Sequence, residues 1–105
     1  MEGATREFEA ALGLEADNVE AQAGLGSALL AQGDLPGAIS QFRKALESKP
    51  DYAAAHYNLA IAFETGRDLK AAAQEYRAAY QLDPHDPAIR SALRRSEGHD
   101  FTDDV

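Results

Sequence analysis

The sequence contains no cysteine, which excludes disulfide bonds and a thiolate nucleophile. It also contains no run of about 20 apolar residues, the length that a membrane-spanning helix needs. The opening Met1-Glu2-Gly3 does not resemble the start of a secretory signal peptide. We therefore expect a soluble protein without membrane insertion. The compartment stays open, with the cytoplasm favoured over secretion.

Positive charge is scarce in this chain. Ten Lys and Arg residues face 18 Asp and Glu residues, which gives a formal net charge of −8. Binding to nucleic acid depends on cationic side chains that neutralise phosphates. The composition therefore argues against a nucleic-acid partner, and the length of 105 residues predicts a single domain with a modest core.

No group of residues in the sequence suggests catalysis. A nucleophile needs a base and an orienting group beside it, and no serine lies in the glycine pattern of a nucleophile elbow. For His56 we expect a packing role between helices. Asp83, His85 and Asp86 could be metal ligands, but the stretch 83–87 is also an ordinary turn in which Asp86 caps the next helix. We expect a chain that is not an enzyme and that binds no cofactor or metal.

The sequence does contain an internal repeat with a period of 34 residues. Residues 19–50 match residues 53–84, and the matching pairs are Leu25 and Leu59, Ala28 and Ala62, Ala38 and Ala72, Phe42 and Tyr76, Ala45 and Ala79, and Pro50 and Pro84. One further step back places Ala4, Phe8 and Ala11 on the same positions. A fixed period of this length is typical of stacked helix pairs. The chain therefore starts at the second helix of a unit.

Polar caps and glycines predict where the helices begin and end. Asn18, Asp34, Asp68 and Asp86 each precede a helical pattern and are predicted N-caps. Gly33 is predicted to close a helix in a left-handed conformation, and Gly66 breaks the equivalent helix one position earlier. The predicted helices cover residues 2–14, 19–32, 35–49, 52–65, 69–82 and 86–96.

The small residues, the aromatic residue and the terminal proline of each unit resemble the tetratricopeptide repeat. The resemblance implies an all-α fold, a right-handed solenoid of antiparallel helix pairs with about six helices. It divides the chain into part of a repeat at 1–16, repeats at 19–50 and 53–84, a capping helix at 86–96, and an acidic disordered tail at 97–105. Gln22 and His56 depart from the family, which usually has a large aromatic residue there.

The resemblance also implies a function, because this family holds proteins or peptides in a concave groove formed by the first helix of each pair. We expect a non-enzymatic interaction module within a larger scaffold or adaptor, with a protein or peptide partner. The groove residues carried over by position are Ala23, Ser27, Leu30, Tyr57, Asn58, Ile61, Glu64, Ser91 and Arg95. For Tyr57 and Ile61 the alternative is that they only cover neighbouring helices.

Some members of the family grip the acidic tails of heat-shock chaperones with a clamp of Lys, Asn and Arg residues. Only Asn58 matches that clamp, while Ala23, Ser27, Ala88 and Ala92 occupy its other positions. The sequence therefore predicts a small, neutral and partly apolar groove. A ligand of mixed charge with an apolar anchor suits it best.

A self-assembling scaffold is the alternative function. Because the chain begins in the middle of a repeat, Phe8 and Leu12 lie on an open repeat edge that could join a second copy into a homo-oligomer.

The C-terminal region also leaves alternatives open. Arg90, Arg94 and Arg95 either complement the helix dipole or bind an acidic peptide or phosphate. The tail could serve as a carboxylate ligand or lie in the groove of a neighbouring copy, as alternatives to a frayed end.

Overall fold

Five helices make up the part of the chain that the computed structural model describes, which is the backbone of residues 18–102 and the side chains of residues 18–97. They are α1 (Val19–Ala31), α2 (Leu35–Ser48), α3 (Ala53–Thr65), α4 (Leu69–Leu82) and α5 (Pro87–Thr102). No strand occurs in this range. The predicted helix at 2–14, with Phe8 and Leu12, lies outside the described residues. None of the helices within 18–102 is both long and apolar enough to cross a membrane.

A polar side chain caps the start of four helices, because the first backbone N–H groups of a helix have no partner within it. Each cap accepts a hydrogen bond from a backbone N–H of the first turn. Asn18 accepts from Ala21 at 2.9 Å, Asp34 from Gly37 at 3.0 Å, Asp68 from Ala71 at 3.2 Å and Asp86 from Ala88 at 2.8 Å. All four predicted N-caps are confirmed. α3 differs, since Tyr52 at its start makes no side-chain cap bond.

The helices form two antiparallel pairs that stack in order. α1 packs along α2 and α3 along α4, while α2 also contacts α3 and α4 contacts α5. Phe42 and Tyr76 are the largest fully buried side chains, each with 0% exposure. Each ring comes from the second helix of a pair and reaches the first helix of the next, since Phe42 packs with Leu59 and Tyr76 packs with Leu93. The predicted burial of both aromatic residues is confirmed.

The close approach of α1 and α2 depends on the absence of a side chain at Gly26. A Cβ atom at Gly26 would lie 2.7 Å from Cε1 of Phe42, closer than nonbonded carbons normally approach. The equivalent residue in α3 is Ala60, which is fully buried beside Tyr76. Both pairs therefore need a small residue where the first helix meets the aromatic ring.

The turns within the two pairs use different residues for the same backbone shape. Gly33 has a φ of 88° and its counterpart one period later, Arg67, has a φ of 70°. Gly66 ends α3 as predicted, but its φ is −82°, so Arg67 and not Gly66 takes the left-handed conformation. That conformation costs a residue with a Cβ about 1 to 2 kcal/mol.

The last helix is longer than predicted. α5 ends at Thr102, so the prediction of a helix that stops at 96 and a disordered tail from 97 is wrong for residues 97–102. Gly98 weakens a helix by only about 1 kcal/mol. With no proline after it, every following N–H can still donate within the helix. Residues 103–105 lie outside the described part.

The contact at Gly26 predicts that added volume is not tolerated there. Gly26→Ala should lower the free energy of unfolding by about 1 to 3 kcal/mol, because Phe42 is fully buried and has no room to move. This loss outweighs the gain of up to about 1 kcal/mol from replacing glycine inside a helix. Urea unfolding measures the difference. Gly66→Ala is the control, since its nearest contact would be an ordinary 3.4 Å to Leu35, and equal stability of both variants would contradict the proposed constraint.

The left-handed conformation of Arg67 predicts that a smaller residue is stabilising at this position. Arg67→Gly should raise the free energy of unfolding by about 0.5 to 1 kcal/mol, since relief of the left-handed strain exceeds the extra entropy of an unfolded glycine. Gly33→Ala should lower it by a similar amount. Thermal melts should show shifts of several degrees in opposite directions. Shifts of the same sign would show that the two turns differ in conformation.

Candidate functional site

The first helix of each pair and the terminal helix lie along one side of the stack. Leu59 of α3 shares a buried cluster with Ala23 of α1. Arg95 of α5 bonds to Glu64 of α3 at 2.9 Å. We call this side the α1–α3–α5 face. The sequence assigned nine residues of these three helices to the groove, and that assignment stays a prediction: Ala23, Ser27, Leu30, Tyr57, Asn58, Ile61, Glu64, Ser91 and Arg95.

Three of these residues form the apolar part of the face. Leu30 is half-buried and packs against the cluster around Phe42. Tyr57 and Ile61 are also half-buried and pack against the cluster around Tyr76, with 5.7 Å between the ring centres of Tyr57 and Tyr76. Each side chain thus contributes to the core and still leaves apolar surface exposed.

The clamp positions carry no cation. Ala23 and Ala92 are buried, with exposures of 6% and 2%, so neither presents a functional group. Ser27 and Ala88 are exposed, and Asn58 is half-buried. Polar groups on this part of the face are therefore neutral, and they suit hydrogen bonds to a peptide backbone rather than a grip on a carboxylate.

Glu64 and Arg95, both assigned to the groove by the sequence, bond to each other across α3 and α5. Nη2 of Arg95 donates to Oε1 of Glu64 at 2.9 Å, and Nε donates to Oε2 at 3.3 Å. The hydroxyl of Tyr76 donates to Oε1 of Glu64 at 2.8 Å. The guanidinium carbon also lies 5.9 Å from the centre of the Tyr76 ring. The charge of Arg95 is thus largely neutralised within the chain.

The sequence also indicated that Glu64 and Arg95 face each other, although assigning groove residues from the family's positions did not show it. One period earlier, the residues equivalent to Glu64 and Arg95 are Leu30 and Ile61, both apolar. Opposite charges appear together at the two positions, as expected when the side chains face each other. The burial of Tyr76 supplied a second signal, because a buried hydroxyl needs a partner.

The same contacts change the acidity of the groups involved. Burial raises the pKa of the Tyr76 hydroxyl well above its ordinary value, and the hydrogen bond to Glu64 and the negative charge of that carboxylate raise it further. The pKa of Arg95 is also raised, mainly because its hydrogen bond to Glu64 favours the charged guanidinium.

His56 of α3 contacts both α4 and the turn that precedes α3. Nδ1 lies 2.8 Å from Oε1 of Glu75 on α4, and Nε2 lies 3.0 Å from the carbonyl oxygen of Pro50. Both neighbours are acceptors, so only the doubly protonated ring donates to both at once. The half-buried position fits the expected packing role, to which the hydrogen bonds are an addition.

The stretch 83–87 behaves as a turn at the start of α5. Oδ1 of Asp86 accepts from the backbone of Ala88 and of Ile89, the latter at 3.3 Å. Within residues 18–97 there is no group of three or more His, Asp or Glu side chains arranged to hold a metal ion. The self-association edge at Phe8 and Leu12 remains a prediction, because it lies outside that range.

The acidity of Tyr76 gives a pH-dependent prediction. Because its pKa is raised in the folded state, deprotonation above the ordinary value of about 10 favours unfolding. Between about pH 10 and 12, the free energy of unfolding of the unmodified chain should fall more steeply than that of Tyr76→Phe, by up to about 1.4 kcal/mol per pH unit. Urea unfolding across this range measures both slopes. The other tyrosines and the lysines affect both chains equally, so parallel curves would contradict the prediction.

Comparison with known proteins agrees with the geometry. The tetratricopeptide repeat model matches residues 2–53 and 28–87. None of the curated proteins matches the chain. Among solved structures, the Arabidopsis OM64 TPR domain has a TM-score of 0.87 and 23% identity, over 91% of this chain and 79% of that one.

Two further similar structures are complexes with peptides. The first TPR of Spaghetti (RPAP3), bound to the HSP90 peptide SRMEEVD, has a TM-score of 0.85 and 17% identity, over 90% of this chain and 75% of that one. The type III secretion chaperone SycD of Yersinia enterocolitica, in complex with a peptide of the translocator YopD, has a TM-score of 0.84 and 19% identity, over 91% and 79%. At such identities these structures show the shared fold. Since the family model covers most of the sequence and the fold agrees with it, the chain belongs to the tetratricopeptide repeat family.

Proposed function

We propose that this chain is a non-enzymatic interaction module that binds a peptide or protein segment on the α1–α3–α5 face. The observation that carries the proposal is the row of partly exposed apolar side chains at Leu30, Tyr57 and Ile61, held in place by the core beneath them. At interfaces a few residues supply most of the binding energy, and tyrosine is enriched among them. Two structurally similar proteins form complexes with peptides, which supports a peptide or protein segment as the ligand.

The face favours a ligand with an apolar anchor. Leu30 and Ile61 offer apolar area, while the amide of Asn58 and the exposed hydroxyl of Ser27 can bond an extended backbone. Arg95 already bonds to Glu64, so a ligand carboxylate gains little from it. We infer that the ligand is an internal apolar segment and not a free acidic C-terminus. The chain would bind this segment as one module of a larger scaffold or adaptor.

A peptide selection with matched variants tests this function. Peptides are selected on the purified chain from a phage-displayed random library, and their dissociation constants are measured for the unmodified chain, Ser27→Glu and Ser40→Glu. Both serines are exposed, but Ser27 lies on the α1–α3–α5 face and Ser40 on α2 beside Arg43. A charge beside the apolar row should weaken binding about tenfold or more for Ser27→Glu, which corresponds to about 1.4 kcal/mol. Ser40→Glu should bind as the unmodified chain does.

The outcomes separate the proposal from its alternatives. We expect the selected peptides to be rich in apolar residues and to bind equally well with an amidated C-terminus. If Ser27→Glu and Ser40→Glu bind alike, the α1–α3–α5 face is not the site. If no peptide is enriched over a selection on an unrelated helical protein, the interaction function itself is wrong.

A further inference from the structure

Within the part of the chain that the structure describes, no other helix covers one side of α5, and the internal repeat shows what packs on the equivalent side of α3. Arg90 and Arg94 are exposed on α5 and line a shallow depression with Pro87 and Ser91. We call the side defined by Pro87, Arg90 and Arg94 the outer face of α5. One period earlier, the residues equivalent to Arg90 and Arg94 are His56 and Ala60 of α3.

In α3 these two positions face a second helix. His56 bonds to Glu75 of α4 at 2.8 Å, and Ala60 is fully buried in the cluster that contains Tyr76 of α4. The outer face of α5 is therefore the side on which a helix packs in the complete pair. In the part of the chain that the structure describes, no helix covers it.

The outer face of α5 carries positive charge. Arg77 pairs with Glu97 at 3.4 Å and Arg95 with Glu64 at 2.9 Å, but among residues 18–97 Arg90 and Arg94 have no acidic partner. They lie one turn apart, where like charges destabilise a helix by a few tenths of a kcal/mol. Two exposed cations are thus held close together in a chain of net charge −8. Charge complementarity points to an acidic ligand.

We propose that an acidic helix of a partner protein docks on the outer face of α5. The pair formed by His56 and Glu75 gives the template, since a carboxylate of the docked helix meets Arg90 as Glu75 meets His56. A second carboxylate lies opposite Arg94, where the complete pair has Tyr76. This surface is separate from the apolar row of the proposed function and does not depend on it.

Arg94 is larger than the residues at the equivalent positions of the two complete pairs, which are Gly26 and Ala60. At the equivalent Gly26, even one added carbon would lie 2.7 Å from the Phe42 ring. The long side chain of Arg94 therefore disfavours an aromatic ring packed as closely as Phe42 and Tyr76 are in the complete pairs. It leaves room for a helix that stands farther off and places an acidic side chain there.

The test uses a peptide built from α4, whose sequence already packs as the second helix of a pair. The acidic probe is the sequence 69–82 with Tyr76→Glu, Lys70→Gln and Arg77→Gln, so that two adjacent carboxylates replace the native pattern. The control probe also carries Gln at positions 75 and 76. Fluorescence anisotropy measures the affinity of each labelled peptide for the full chain. We expect the acidic probe to bind at least tenfold more tightly than the control and to weaken as salt rises.

Matched variants locate the binding. Arg90→Glu combined with Arg94→Glu should weaken the acidic probe at least tenfold. Lys44→Glu combined with Lys70→Glu makes the same charge change at exposed positions of α2 and α4 and should weaken it less than twofold. Circular dichroism checks that both variants remain folded. Equal losses in the two double variants would show a general charge effect and overturn the proposal, as would equal binding of the two probes.

Other occupants of this face have distinct signatures. If the arginine double variant converts a dimer of the unmodified chain to a monomer in solution, a second copy occupies the face and the partner proposal is wrong. If the acidic probe binds only after residues 98–105 are removed, the C-terminal end of the chain covers the face and the proposal is equally wrong. Neither outcome affects the Ser27 test, so the two proposed surfaces can fail independently.

Discussion

The burial of one aromatic ring in each repeat is the constraint on which the rest of the structure depends. Phe42 and Tyr76 have no exposed surface, and each reaches from its own helix pair to the next helix. Room for the rings exists only because glycine and alanine occupy the facing positions, as at Gly26. Ring size and small-residue spacing together fix how closely the helices approach. The stacking order of the helices follows from that fit.

The difference between the two rings extends to the surface. A buried tyrosine needs a partner for its hydroxyl, whereas Phe42 needs none. Tyr76 finds its partner in Glu64, and Arg95 then balances the charge of that carboxylate. At the equivalent positions near Phe42, the face carries Leu30 and Ile61 instead. The two ends of the α1–α3–α5 face therefore differ. The end near Phe42 is apolar, whereas at the end near the Tyr76 hydroxyl the charges of Glu64 and Arg95 pair with each other.

The repeat made most of the fold predictable, because each helix is specified by several features that agree. The caps at Asn18, Asp34 and Asp68 were visible in the sequence, since a cap bonds within its own turn. The pairing of Glu64 with Arg95 was not, because it joins residues 31 positions apart on different helices. The groove assignments came from family positions, which state where a residue lies and not whether its side chain is already engaged.

The left-handed conformation of Arg67 and the length of α5 could not be predicted from the sequence either. The rule for left-handed residues points to glycine, but Gly66 lies one position too early, and the turn geometry imposes the strained conformation on Arg67. The shape of the turn follows from the docking of α3 on α4, so tertiary packing outweighs a local cost of about 1 to 2 kcal/mol. The extension of α5 has a local cause instead of a tertiary one. There, Gly98 opposes the helix too weakly to stop it without a following proline.

The outer face of α5 and the end of the α1–α3–α5 face that contains Glu64 and Arg95 both depend on the docking of α5. Ala92 and Leu93 bury α5 against the cluster around Tyr76, and the bond between Arg95 and Glu64 fixes it to α3. Because α5 is the last element of the described stack, it is held from one side only, and terminal elements open at lower cost than central ones. A ligand that binds only the docked helix must stabilise the docked state by mass action. Occupation of the outer face of α5 therefore also stabilises the end of the α1–α3–α5 face that contains Glu64 and Arg95.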